Sequence, residues 1–388
     1  MRNLEKVNNP YNEGKVIDAC SLFGMMDTSR QRFSGSDIIR AIANMHDRSN
    51  GLGGGFAVYG LYPEYATLFA FHIMFLSQKG KEETEAFIKD NFNIVYQEEV
   101  PTQPTEKIIN PPLVFRYFLE IGQHQLEGQS EDDYVVEKVM AINTRLVDSF
   151  VFSSGKDMAV FKGVGHPEEI AEYFGLEQYE GYLWTAHGRF PTNTQGWWGG
   201  AHPFSILDWT VVHNGEISSY GINRRYLEQF GYQCTMRTDT EVVAYAVDLL
   251  IRKHNLPIEI AARILAAPLW SEIERMPAGE QKLMRTLRQV YASMLLNGPF
   301  TVIIAHHGEM IGLTDRIRLR PLTIGENGDM LYLSSEESAI RLISPELDKV
   351  WIPMGGEPVI ARLKANSSVQ TAPYKGSCSC RRSKLTCC

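Results

Sequence analysis

Four short blocks of this sequence contain residue types that could do chemistry together. Cys20, in the apolar run Ala19-Cys20-Ser21-Leu22-Phe23-Gly24, offers a thiolate nucleophile once a base takes its proton. If the chain were cut between Ala19 and Cys20, the new α-amino group would titrate near ~7.7–8.0 and could itself be that base. Arg189, in His187-Gly188-Arg189-Phe190-Pro191-Thr192-Asn193-Thr194, carries a rigid two-pronged donor suited to a carboxylate. Asn214-Gly215 closes the strand-like run Val211-Val212-His213, where a side-chain amide and a backbone N–H can converge on one point as an oxyanion hole. Asp239, in Arg237-Thr238-Asp239-Thr240-Glu241, opens a helical pattern and can cap it or bind an ammonium group. Taken singly, each has a plain structural use: a buried thiol, a surface ion pair, a strand-end turn, a helix cap.

The elements that must position these residues follow from periodicity. Residues 1–15 are polar and read as a leader, and a short buried strand is expected across Cys20. A helix is expected from about Asp37, capped by Ser36. Gly51, Gly53, Gly54 and Gly55 read as a turn before a strand over 56–61. Strand, helix and strand are expected over 68–100, with the helix at 81–92, then a proline-rich connector and a helix over 112–121. A polar loop, 122–133, should precede a further strand–helix–strand region. Residues 60–150 thus read as an inserted βα subdomain. Beyond 180, strands at 182–186 and 209–213 flank a Gly- and Trp-rich loop, 187–203. One helix is expected over 240–254 and two more over 257–295. Successive hairpins should follow to 363, turning at His307-Gly308, Asn327-Gly328 and Gly355-Gly356. The whole reads as a layered α+β domain.

Composition narrows the class. The 388 residues are 44% hydrophobic and 22% charged, which excludes a wholly disordered chain. The 38 Lys and Arg against 46 Asp and Glu leave a net charge of −8, which argues against general nucleic-acid affinity. The most apolar stretch, 66–76, is interrupted by His72 and is too short to span a bilayer. Six cysteines, at 20, 234, 378, 380, 387 and 388, are not spread as a disulfide framework, so a reducing, cytoplasmic setting is expected. The last four crowd the terminus and fit either an irregular tail or a soft-metal site.

In order and wording, the blocks C-S-L-F-G, H-G-R-F-P-T-N-T, H-N-G-E-I and R-T-D-T-E-V resemble the class II glutamine amidotransferases, which are N-terminal-nucleophile hydrolases. The wording R-F-P-T-N-T and the run T-D-R-I-R-L-R-P-L, 314–322, most resemble the amidotransferase domain of glutamate synthase. The resemblance implies a four-layer αββα sandwich over 20–365, with residues 1–19 a removable leader and 366–388 a cysteine-containing tail. It implies Cys20 as nucleophile, Asn214 and Gly215 as oxyanion donors, and Arg189 and Asp239 as holders of the α-carboxylate and α-ammonium of L-glutamine. Thr192 and Asn193 would shape the pocket, while His187 and His213 would orient backbone or packing. No metal is expected. Departures from the family pattern are Ser21, where Gly is common, and Pro191, where Ser or Ala is frequent. No iron–sulfur cysteine cluster and no dinucleotide fingerprint is found, so FMN and iron–sulfur centres are expected on a separate synthase subunit that receives ammonia. An N-methylglutamate synthase-like complex and a non-catalytic glutamine-binding subunit are the alternatives.

Overall fold

A computed structural model describes residues 19–190 and 196–364. The expected leader 1–15, the tail 366–388, and Thr192 and Asn193 lie outside the described residues. Residues Ser21–Asp27 form a strand buried along its whole length, as its continuous apolar run requires. It lies in the middle of a seven-stranded sheet. In spatial order that sheet runs Lys349–Trp351, Thr323–Asn327, Met330–Ser334, Ser21–Asp27, Leu183–Gly188, Gly54–Tyr59 and Met158–Gly163. A five-stranded sheet runs Phe204–Ile206, Trp209–Gly215, Phe300–His306, Glu309–Thr314 and Val359–Arg362. All ladders in both are antiparallel.

The two sheets pack face to face, the strand of Ser21–Asp27 touching those of Trp209–Gly215 and Phe300–His306. Gly24 marks the close approach, for a Cβ there would stand 2.8 Å from Met310 Sδ. Helices Ser36–Ala43, Pro167–Phe174 and Glu337–Ile343 cover the outer face of the larger sheet, and Asp239–Val247 covers the smaller. The fold is therefore α+β, a four-layer αββα sandwich. No helix among the described residues is long and apolar enough to cross a membrane.

Between the paired strands Gly54–Tyr59 and Met158–Gly163 the chain leaves the sandwich. It builds a separate four-stranded sheet, ordered Asn93–Glu99, Leu113–Glu120, Phe69–Phe75 and Ser149–Ser153, with helices Gln78–Asn91 and Glu131–Arg145.

Several local expectations are overturned. The segment expected as a helix over 112–121 is the strand Leu113–Glu120, because neighbours on both sides pair with it and its Val, Phe and Tyr content suits a pleated surface. The end of the expected loop 122–133 is the first turn of helix Glu131–Arg145, capped by Ser130, whose Oγ accepts the Asp133 N–H at 3.1 Å, and no strand precedes it there. Gly54 and Gly55 lie inside a strand rather than in a turn. Three helices, not two, occupy 257–295, the short Trp270–Ile273 among them. Gly355-Gly356 does not close a hairpin, since Lys349–Trp351 and Val359–Arg362 join different sheets. Helix Glu337–Ile343 interrupts the expected run of hairpins.

Candidate active site

Cys20 immediately precedes the central strand Ser21–Asp27 and is half-buried. Its Sγ accepts the Phe190 N–H at 3.3 Å. Its carbonyl accepts from Arg48 Nε at 3.3 Å, while the other arm of Arg48 pairs with Glu336 at 2.8 Å. Two residues on, Leu22 and Ser335 exchange two hydrogen bonds, each 3.1 Å. The backbone that follows the thiol is thus fixed from residues just beyond the neighbouring strand Met330–Ser334.

Arg189 follows the strand Leu183–Gly188, which pairs with the strand Ser21–Asp27 at Ser21↔Gly188. Its N–H donates to the Gly53 carbonyl at 2.8 Å, and its own carbonyl accepts the Asn50 N–H at 3.2 Å. The side chain is buried, and burial pushes the guanidinium pKa down while Cys20 and Asp239 act to raise it.

Asn214 and Gly215 end the strand Trp209–Gly215 of the second sheet. Asn214 is 1% exposed, and its Nδ2 has no acceptor among the described residues. A buried amide donor without a partner is costly, so a site that keeps one has a use for it. Gly215 has φ +152°, and a Cβ there would collide with the Pro299 carbonyl, so no other residue fits.

Asp239 opens helix Asp239–Val247, with Thr238 as its cap. Its Oδ2 accepts the Ile217 N–H at 2.9 Å, and Oδ1 stands 3.7 Å from His213 Nδ1. Burial works to raise this carboxyl, but His213 and the N–H groups of Ile217 and Thr240 outweigh it and hold it below the usual range. The helix N-terminus favours the same charge.

Three buried histidines tie these elements together. His187 Nε2 donates to the His213 carbonyl at 2.9 Å, which joins the two sheets directly behind Asn214. Burial pushes its pKa down to about 3, so it is neutral. The His202 ring lies 3.9 Å from that of His187, and its Nε2 meets Thr240 Oγ1 at 2.7 Å. Thr240 Oγ1 also meets His213 Nδ1 at 3.1 Å.

Cys20, Arg189, Asn214, Gly215 and Asp239 all line one cavity of about 250 Å³. Thr192 and Asn193 lie outside the described residues. Sequence reasoning gave no role to Arg48, His202, Arg237, Thr240 or Arg320, of which all but Arg48 line the cavity. Arg320 stands in the 314–322 run, but nothing in the wording of that run shows where its side chain goes.

The family model for glutamine amidotransferases class-II matches residues 69–351. The chain belongs to that family. The matched span begins after Cys20, so the strand that follows Cys20 stands as a separate, structural observation. Over 355 residues the chain is 60% identical to an uncharacterized protein of Archaeoglobus fulgidus, covering 90% of this chain and 94% of that one. Over 198 residues it is 28% identical to a putative glutamine amidotransferase of Methanothermobacter thermautotrophicus, covering 50% of this chain and 55% of that one. Among solved structures, a glutamine phosphoribosylpyrophosphate amidotransferase from B. subtilis aligns over 89% of this chain and 50% of its own, with 16% identity and a TM-score of 0.42.

The cavity of this class II amidotransferase carries both signs of charge. A cation and an anion stand at Arg189 and Asp239, an amide donor at Asn214, and a thiol at Cys20. Burial raises the Cys20 pKa, whereas the Phe190 N–H, Arg189 and Arg320 lower it and Asp239 raises it.

Proposed function

We propose that this chain hydrolyses L-glutamine to L-glutamate and ammonia through a thioester on Cys20, and that the ammonia passes to a separate synthase subunit of the glutamate synthase type. The observation that carries the reading is the buried Asn214 amide, without an acceptor among the described residues, in one cavity with a thiol and a cation–anion pair.

Removal of residues 1–19 would give Cys20 a free α-amine. That amine takes the thiol proton, and Sγ attacks the side-chain amide carbon of glutamine. The charge forming on the amide oxygen is held by Asn214 Nδ2 and the Gly215 N–H, each worth roughly 2.7–4 kcal/mol. The protonated amine gives its proton to the departing ammonia, and water then hydrolyses the thioester. Arg189 takes the α-carboxylate and Asp239 the α-ammonium, with Thr192 and Asn193 shaping the pocket. His187 and His213 act on backbone and neighbouring side chains rather than on glutamine.

The glutamate synthase assignment is supported by the wording R-F-P-T-N-T and by the 314–322 run. On this reading the flavin and iron–sulfur chemistry belongs to the partner subunit. The test is ammonia release by wild type and Cys20→Ala, with intact mass measured on the same samples. A wild-type chain beginning at Cys20, and loss of ammonia release in the variant, are expected. Undiminished release by Cys20→Ala would overturn the mechanism.

A further inference from the structure

The loop between strands Glu309–Thr314 and Thr323–Asn327 brings a further cation into the cavity. The buried Asp315 organises it. Asp315 Oδ2 accepts the N–H groups of Leu319 at 2.8 Å and Phe300 at 3.2 Å, and Oδ1 accepts that of Ile317 at 3.1 Å. The Arg320 carbonyl accepts the Thr301 hydroxyl at 3.2 Å, and Thr301 is the cross-strand partner of Asn214. Arg320 is therefore anchored to the same ladder that presents the amide donor, and its side chain lines the cavity that holds Cys20.

Arg320 Nε is buried and has no acceptor among the described residues. A buried guanidinium N–H without an acceptor is unfavourable unless an anion meets it in the working state. The cavity's fixed anions are poor candidates. Asp239 is engaged by the Ile217 N–H and by His213, and Glu216 is exposed. Glutamine brings one carboxylate and one ammonium, and Arg189 and Asp239 already match them. The charge that forms on the amide oxygen is met by Asn214 and Gly215, so the remaining negative charge is the one on sulfur.

We propose that Arg320 is a positioning residue that holds the Cys20 side chain in its thiolate form, and that it keeps this role when substrate carboxylate occupies Arg189. The inference rests on Cys20 being the nucleophile. Cys20 is opposed by burial and helped by the Phe190 N–H, Arg189 and Arg320, in that order of strength. The other charged or titratable groups around it are Arg237, Glu216, Asp239, His202, His213 and Tyr220 in the cavity, Arg48 and Glu336 behind its carbonyl, and the α-amine of the processed chain.

The test is the pH dependence of Cys20 alkylation by iodoacetamide, read on the Cys20 peptide by mass spectrometry, with glutaminase kinetics on the same preparations. Arg320→Gln is expected to move the alkylation midpoint up by about one pH unit. It should lower kcat roughly tenfold at neutral pH while KM for glutamine changes less than about twofold. Arg320→Lys, which keeps the charge, should restore the midpoint. Arg320→Met, which keeps the packing of the stem, replaces the Gln variant if that one fails to fold. A neutral variant that titrates like wild type, or a Lys variant as displaced as the neutral one, overturns the proposal. A wild-type protein that neither alkylates at Cys20 nor releases ammonia would instead overturn the nucleophile reading beneath it.

Discussion

Asp239 shows how little freedom the residues of this site have. Its carboxylate is kept ionised by His213 and two N–H groups, so through neutral pH it offers a fixed negative charge to the cavity. Asp239→Asn keeps the shape and can still accept from Ile217, but it loses the charge. Steady-state kinetics should show kcat/KM for glutamine falling by about 10²–10³, mostly in KM, as expected when one partner of a buried ion pair is removed. Glutaramate, which lacks the α-amino group, should lose little, so the enzyme's preference for glutamine over it should collapse. An equal loss on both compounds would mean that Asp239 does not meet the ammonium. On the proposed mechanism Asn214→Ala should behave in the opposite way, with kcat down by about 10²–10³ and KM unchanged, because the amide would act on charge that forms only in the reaction. These residues were legible as candidates in the sequence because their chemistry sits in their own side chains, at the ends of strands and a helix, and the structure brings them to one cavity. Arg48, His202 and Thr240 were not. Each acts by touching something distant in sequence, as Arg48 does with the Cys20 carbonyl and Glu336, and no spacing announces that.

At the scale of elements, the strand Gly54–Tyr59 decides where the 199–203 segment can lie. Gly55 pairs with His187, and a Cβ on it would collide with the carbonyl oxygens of His202 and Phe161. Next to it, the buried Lys162 donates from Nζ to the carbonyls of Gly199 and Ala201, each at 3.0 Å, and of Pro203 at 3.3 Å. The bare backbone of Gly55 and the three-way grip of Lys162 together press His202 against His187. Gly55→Ala should therefore cost about 1–3 kcal/mol, as overpacking against backbone does, and should reduce activity as His202 is displaced. Gly279→Ala is the contrast. It lies in helix Ala278–Val290 with open space around it, and should gain up to ~1 kcal/mol. Thermal denaturation of both variants checks this, and a Gly55→Ala protein as stable as wild type would contradict it. The glycine cluster also shows why strand borders were misread. Composition suggests a turn, but what places Gly54 and Gly55 in a strand is the nearness of Pro167 and His202, which is tertiary. The same holds for Leu113–Glu120, whose apolar pattern suits helix or strand and is settled by pairing on both edges. The expected α+β layering survived these errors because it depends on which segments are apolar, not on where each begins.

At the scale of the whole molecule, the layers are joined by histidines that must stay neutral. His72, in the separate four-stranded sheet, reaches the seven-stranded sheet through Nδ1 to the Val160 carbonyl at 3.2 Å, and its Nε2 meets Tyr62 Oη at 2.9 Å. His187 joins the seven-stranded sheet to the five-stranded one at the His213 carbonyl. His202 joins the 199–203 segment to helix Asp239–Val247 through Thr240. Burial lowers the pKa of His72 and His187 to about 3 and that of His202 well below its ordinary value. In the unfolded chain all three would take up protons near ~6.5. Below that pH the unfolded state binds more protons than the native one, so stability must fall as pH falls, from about 6.5 toward 3. Within that window His72 and His187 each act with a slope of up to about 1.4 kcal/mol per pH unit, and His202 acts in the same direction. Urea denaturation at pH 7.5, 6.5, 5.5 and 4.5 should show little change across the first step and a steep loss over the next two. His72→Gln, which can still donate toward Val160, should make that slope shallower while leaving the His187–His202 pair beside the cavity intact. A flat profile between pH 6.5 and 4.5 would mean that the layers are not held by neutral imidazoles.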